Sequence, residues 1–121
     1  MVTVPIWTQD YPALAQAADA ASRVAYTLAH QHLPSRASDA HALVENLFFA
    51  GLERTSPGGS LNLITMTSPR KVRFELHYPD DKPVGNYSDL HQAVSELADA
   101  YGERPTSRGG CMIYAELWAV R

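Results

Sequence analysis

The chain has 121 residues, 45% of them hydrophobic, and a formal net charge of −3 at pH 7. This length fits one domain, residues 1–121, with a single modest core. No stretch concentrates Lys or Arg, so neither nucleic acid nor an anionic membrane is an expected partner. The sequence has no apolar run long enough to span a bilayer and no basic, apolar leader, and the lone Cys111 cannot form an internal disulfide. We therefore expect a cytoplasmic protein.

A strand and an alanine-rich helix are predicted at the start of the chain. Met1 to Thr8 favours a short strand, and Pro5 confines it to a sheet edge because proline cannot donate to a ladder. Asp10 then resembles the N-cap of a helix that stops at a later proline. The apolar stripe of this helix consists of Leu14, Ala17, Ala18, Ala21, Val24, Ala25 and Leu28. Arg23 and Tyr26 lie off the stripe, where they either contact a partner or are simply solvated.

The second predicted helix, Ser38 to Arg54, is the element around which we build the fold. Ser38 is a candidate N-cap, and Asp39 complements the positive end of the helix dipole. Apolar residues recur every three or four positions, which forms one stripe on a helix. The stripe consists of Ala40, Leu43, Val44, Leu47, Phe48 and Leu52. Thr55 to Gly59, with a proline and two glycines, ends the helix.

The rest of the chain predicts two strands, a helix and a final strand. Ser60 to Thr67 and Lys71 to Tyr78 form a predicted hairpin, and the second of these strands alternates strictly between polar and apolar residues. After a proline-rich loop, Pro79 to Tyr87, a third helix is predicted from Ser88 to the terminating Gly102. Its stripe consists of Leu90, Ala93, Val94, Leu97, Ala98 and Tyr101. Cys111 to Val120 is the last predicted strand.

The order of elements is strand, helix, helix, strand, strand, helix, strand. It predicts an α+β, two-layer sandwich with three helices on one face of a four-stranded, mainly antiparallel sheet. The last strand is apolar on both faces, because Met112, Tyr114 and Trp118 alternate with residues such as Ile113. Either the N-terminal segment or a second copy of the chain is expected to cover these side chains, and we prefer a homodimer.

Four segments carry a resemblance to a known family. They are Asp39 to Leu52, Val72 to Pro79, Ala93 to Gly102 and Gly109 to Leu117. Together they resemble the histidine-kinase-like ATPase domains (Bergerat fold, GHKL), especially the small stand-alone anti-sigma-factor kinases of bacteria. The resemblance extends over nearly the whole chain and implies a nucleotide cleft beside the second helix.

The residues that bind nucleotide in that family are replaced here. The family's glutamate base falls on Asn46, which cannot act as a base, and its magnesium-binding asparagine falls on Ala50, which has no oxygen for a metal. The aspartate that binds adenine falls on Tyr78. The phosphate-binding glycines fall on Ser88, Asp89 and Leu90. Because an acidic side chain there repels phosphate, the resemblance implies that ATP binding has been lost and that no cofactor is used.

We expect a non-catalytic, pseudo-kinase-type binding or regulatory module that acts on a protein or peptide partner. Its candidate contacts are Asn46, Phe49, Tyr78 and Tyr87 in the former cleft, together with Arg23 and Tyr26. Alternatively, the aromatic residues fill the old cavity as core. A rival function is an ATP-independent enzyme that holds a peptide or natural-product precursor ready for ring or crosslink formation, because proximity alone supplies much of the rate. Residual nucleotide binding without hydrolysis is a third alternative.

No metal site or catalytic residue is assigned from the sequence. The five histidines lack the spacing of a metal-binding motif, and His30 and His32 suit the dipole at a helix end. Cys111 is expected to pack as a small hydrophobe rather than to act as a nucleophile. Asp80 and Asp81 are expected to be turn residues rather than a carboxylate pair.

Overall fold

The computed structural model describes residues 4–81, 90–107 and 109–119. A short 3₁₀ turn, Pro34–Arg36, joins the first two helices. The helices and strands in chain order are β1 (Val4–Pro12), α1 (Ala17–His32), α2 (Ala37–Glu53), β2 (Ser60–Ser68), β3 (Lys71–Tyr78), α3 (Leu90–Ser95), β4 (Ala100–Pro105) and β5 (Cys111–Trp118).

The described residues form one five-stranded sheet in the order β1-β2-β3-β5-β4, and each neighbouring pair is antiparallel. The predicted α+β class, the antiparallel sheet and the three α-helices are confirmed. The prediction of four strands is wrong, because β4 forms in a segment where the helical period predicted only helix and loop. Strands β1 and β4 are the two edges of the sheet.

The core lies between the helices and one face of the sheet. Every second residue of β3 is buried, which is the strand period expected when one face is covered. The stripe of α2 supplies the large core side chains, and Phe48 meets Tyr11 of β1 edge-to-face with ring centroids 5.8 Å apart. Helix α1 presents small side chains, which let it approach closely; the buried alanines are Ala17, Ala18, Ala21, Ala25 and Ala29. The opposite, helix-free face is called the outer face below.

The start of the first helix differs from the prediction. Strand β1 runs on through Pro12, and α1 begins only at Ala17. Asp10 is therefore a strand residue rather than a helix cap, and its Oδ1 accepts a hydrogen bond from Asn62 Nδ2 at 2.9 Å. Pairing with eight residues of β2 outweighs the local helix-start signal, because backbone groups in the ladder gain hydrogen bonds.

The predicted N-cap of the second helix is also wrong. Helix α2 starts at Ala37, so Ser38 lies inside its first turn, and no side chain caps the N-terminus. Asp39 lies in the first turn, as predicted. It accepts a hydrogen bond from Arg36 Nε at 2.9 Å, which fixes the junction between the 3₁₀ turn and the helix.

The third predicted helix is wrong beyond Ser95, and its predicted cap Ser88 lies outside the described residues. Asp99 turns the chain instead: its backbone N donates to Glu116 O at 2.9 Å, and its Oδ2 accepts from Trp118 N at 2.8 Å. The apolar stripe is nevertheless used, since Leu97, Ala98 and Tyr101 still pack against the core. Gly102 lies within β4 rather than ending a helix.

No helix in the described ranges is both long and apolar enough to cross a membrane.

Candidate functional site

The residues predicted to line a former nucleotide cleft lie in different environments. Asn46 is half-buried, and its Nδ2 donates to Ala42 O at 2.9 Å, so this amide binds its own helix. Ala50 is buried. Phe49 is 44% exposed and presents a large apolar side chain to solvent. Tyr87 lies outside the described residues.

Tyr78 packs into the core at the end of β3, where it is 4% exposed. Arg54 Nη1 donates to Tyr78 Oη at 3.1 Å and to Glu103 Oε2 at 2.8 Å. Burial raises the pKa of Tyr78, the side-chain hydrogen bond with Cys111 raises it further, and Arg54 opposes this shift. Tyr78 is thus a largely buried side chain whose hydroxyl accepts a hydrogen bond from its own chain.

A groove between the edge strand β1 and helix α1, called the edge groove below, has a volume of about 350 Å³. Its lining residues are Trp7, Arg23, Val24, Thr27, Leu28 and Gln31. Trp7 is 45% exposed, and its Nε1 donates to Gln9 Oε1 at 3.1 Å, which orients the indole along the strand. The edge groove is therefore a mainly apolar surface next to a sheet edge.

Two predicted partner contacts lie on the helix that borders the edge groove. Arg23 lines the groove and forms an exposed ion pair with Asp19 at 3.0 Å. Tyr26 is 42% exposed and stacks on His30, with ring centroids 6.1 Å apart. The structure thus places Arg23 beside Trp7, a residue that the sequence analysis assigned only to a strand.

A wide depression of about 680 Å³ lies at one end of the sheet. It is called the outer-face depression below, and its described lining residues are Asp10, Ser60, Asn62, His77, Tyr78, Pro79, Thr106, Ser107, Gly110 and Cys111. Asp10 is paired in register with Asn62, and Asn62 with His77, so these three polar side chains form one row across β1, β2 and β3.

Charged side chains in the middle of the outer face form a network. Arg73 donates to Glu75 at 2.8 Å and to Glu116 at 3.0 Å, and Lys71 lies 3.4 Å from Glu116. Burial by itself raises the pKa of Glu75, but hydrogen bonds from Arg73 and His77 outweigh it and hold that pKa below its usual value. The pKa of Glu116 is likewise lowered, because hydrogen bonds from Trp118 and Arg73 outweigh burial. Both carboxylates are therefore charged at neutral pH.

The three residues predicted at a dimer interface all lie on the outer face. Tyr114 is half-buried, with the guanidinium carbons of Arg73 and Arg104 at 4.1 Å and 5.6 Å from its ring centroid. Met112 is half-buried as well, whereas Trp118 is 46% exposed. Much of the apolar surface of Tyr114 is thus covered by arginine side chains of the same chain.

The sequence alone did not assign Trp7 to the edge groove, or Asn62 and His77 to the outer-face depression. For Trp7 the sequence did contain a signal, because tryptophan is enriched at binding surfaces and Trp7 lies in a predicted edge strand. The row of Asp10, Asn62 and His77 depends on strand register, which the sequence does not specify. Within residues 4–81, 90–107 and 109–119, no group of three or more His, Cys, Asp or Glu side chains is arranged to hold a metal ion.

Comparison with known proteins gave no match, either to a protein-family model or to a curated protein.

Proposed function

We propose that the protein is a non-catalytic binding module that holds an extended segment of a partner protein against β1. The observation that carries this proposal is the edge groove, which lies directly beside an edge strand of nine residues. An extended peptide that adds to a sheet edge gains main-chain hydrogen bonds, while a neighbouring pocket selects its side chains.

The backbone of β1 supplies the first half of the proposed site. One side of β1 pairs with β2, and in the described part of the chain no strand pairs with its other side. Pro5 and Pro12 bound the stretch of β1 available to a partner, because proline cannot donate a hydrogen bond. An irregularity in the register between Pro5 and Trp7 further limits regular pairing to the residues that follow.

The edge groove supplies the second half of the proposed site. Trp7 and Leu28 offer apolar surface, and the groove has room for one or two side chains of a bound segment. Arg23 stands at the groove with its side chain 77% exposed, so an acidic group on the segment would compete with Asp19 for it. We therefore expect a segment that carries an apolar side chain next to an acidic one.

The proposal includes the loss of ATP binding that the family resemblance implies. Support comes from the chemistry of the aligned positions: the Asn46 amide binds Ala42 O, Ala50 is a buried methyl group, and Tyr78 is held by Arg54. None of these three side chains offers a carboxylate for a base, a metal or adenine. The resemblance itself stays a prediction.

The test is selection of peptides from a random displayed library, followed by binding measurements with single variants. Trp7→Ala is expected to weaken the selected peptides at least tenfold, because it removes the aromatic wall of the edge groove. Leu14→Ala is the control, since Leu14 is similarly exposed (48%) but is not among the described lining residues of the edge groove. Peptides that lose affinity with Leu14→Ala and keep it with Trp7→Ala would contradict the proposal.

We also propose the homodimer predicted from β5, with Met112, Tyr114 and exposed Trp118 in its interface, and a cytoplasmic location. Sedimentation of the wild type and of a Trp118→Ala variant tests the dimer independently of peptide binding. A wild-type chain that stays monomeric at high concentration would rule this dimer out.

A further inference from the structure

The outer-face depression contains three polar side chains whose positions are fixed by hydrogen bonds. Asp10, Asn62 and His77 follow one another across three adjacent strands, which lie about 4.8 Å apart in a sheet. Asn62 Nδ2 donates to Asp10 Oδ1 at 2.9 Å, and His77 Nε2 lies 3.1 Å from Glu75 Oε1. These partners set the orientation of the amide and of the imidazole ring.

Each of these three side chains keeps at least one hydrogen-bonding atom that is not used within the described part of the chain. An ionised carboxylate only accepts, so the proton between His77 and Glu75 lies on His77 Nε2. Nδ1 accepts a hydrogen bond whenever it carries no proton. Asn62 uses one of its two N–H donors on Asp10 and keeps its carbonyl oxygen, and Asp10 keeps its second carboxylate oxygen. The row therefore presents three hydrogen-bond acceptors, one of them charged, against one remaining N–H donor of Asn62.

The rest of the depression agrees with a ligand rich in donors. Ser60, Thr106 and Ser107 add hydroxyl groups, which accept as well as donate. None of the described lining residues is Lys or Arg, so Asp10 has no cationic partner among them. The volume of about 680 Å³ lies within the range of small-molecule sites.

We propose that the outer-face depression binds a small organic cation that carries several N–H donors, of the polyamine or guanidino-amine class. An ammonium or guanidinium group would pair with Asp10 and donate to Asn62 Oδ1 and His77 Nδ1. An anion would meet the carboxylate, and a purely apolar ligand would leave the acceptors without partners. This site does not depend on the proposed peptide site, which uses the edge of β1 and the opposite face of the sheet.

The test is to titrate the full chain with spermidine and with agmatine. Binding is monitored by nuclear magnetic resonance chemical shifts and by calorimetry. We expect saturable binding, with shifts centred on Asp10, Asn62 and His77. Asp10→Asn is expected to weaken it at least tenfold, and its remaining oxygen still accepts from Asn62, so the fold is kept. Asp19→Asn, an exposed aspartate on α1, is the matched control and should change affinity less than twofold. The uncharged diol 1,4-butanediol should not bind.

Three results would overturn the proposal. The first is no saturable binding of either amine at millimolar concentration. The second is equal weakening by Asp10→Asn and Asp19→Asn, which would show attraction to an acidic chain without a defined site. The third is binding of Zn²⁺ at the same three residues with no binding of either amine, since Asp and His side chains also bind metals.

Discussion

Tyr114 lies over the backbone of Gly102 in the neighbouring strand. A Cβ atom at Gly102 would come within 2.8 Å of the Tyr114 ring, and the ring cannot move freely because Arg73 and Arg104 cover it. A glycine inside an edge strand normally weakens the strand, but here the aromatic ring fills the vacant space. Close packing of the Tyr114 ring over Gly102 thus joins β5 to β4 on the outer face.

Gly102→Ala is expected to destabilise the protein by about 1–2 kcal/mol, because the added methyl group overlaps the Tyr114 ring. Urea denaturation of the variant measures the loss. The same change in a Tyr114→Leu background should cost less, since the clash with the ring is removed. Equal costs in both backgrounds would show that the ring is not the obstacle.

Tyr78→Phe is expected to lower stability by about 1 kcal/mol at pH 7, because the hydrogen bond from Arg54 is lost. The pKa of Tyr78 is raised in the folded state, chiefly by burial, so ionising it is harder there than in the unfolded chain. Its stabilising effect is complete below the unfolded pKa of about 10 and is lost as the pH rises above that value.

The free-energy difference between the wild type and Tyr78→Phe should therefore shrink between about pH 10 and pH 11, where unfolding can be followed by fluorescence. A difference that widens with pH would mean that Arg54 outweighs burial at this site. Tyr11 also has a pKa raised by burial, so the double variant with Tyr11→Phe should flatten the alkaline loss further.

Single side chains also tie distant elements together, and Arg36 is the clearest example at the scale of elements. Its Nε donates to Asp39 of α2 and its Nη1 to Asp99, the residue before β4, at 2.9 Å and 3.0 Å. The same guanidinium donates to Leu97 O after α3 and to Trp118 O at the end of β5. The junction of four elements thus depends on one side chain that is 13% exposed.

Arg36→Met is expected to destabilise the protein by about 2–3 kcal/mol, because two carboxylates and two carbonyl groups lose a charged donor. Thermal and urea denaturation measure this loss. Arg23→Met removes a mostly exposed ion pair and serves as the control, with an expected change below about 0.5 kcal/mol. If the two variants lose the same stability, Arg36 does not hold the junction.

The elements that the sequence predicted well are those whose residue pattern matches a single structure. Strand β3, with strict alternation, and helix α2, with a continuous stripe, lie where the pattern placed them. The segment after Ser95 was mispredicted, because Leu97, Ala98 and Tyr101 bury their side chains equally well outside a helix. Residues 100–105 instead pair with β5 as a hairpin across residues 106–110, and the backbone hydrogen bonds of this pairing outweigh the helical period of the side chains.

The candidate surfaces were predicted less well than the fold. The family resemblance directed attention to Asn46 and Tyr78, which bind groups of their own chain. Arg23, predicted as a partner contact or a solvated residue, lines the edge groove, whereas its neighbour Trp7 was not singled out from the sequence. Both the edge groove and the outer-face depression combine residues far apart in sequence, so only the register and packing of β1 could bring them together.

At the scale of the whole molecule, we predict that ATP with magnesium leaves the melting temperature unchanged. A ligand present at a hundred times its Kd stabilises a protein by about 2.7 kcal/mol, so binding would be easy to detect. Magnesium alone and ADP with magnesium are the controls. A reproducible rise in melting temperature with ATP would contradict the proposed loss of nucleotide binding. It would not bear on the proposed amine site.

The two edges of the sheet differ, and this difference controls how far association can proceed. Strand β4 has six residues, and its exposed end carries Glu103, Arg104 and Pro105, a combination that discourages further pairing. A guest strand on β1 would become the new edge on that side, while β4 discourages a second strand on the other side. Copies of the chain therefore lack a second receptive edge through which they could add in series to a filament.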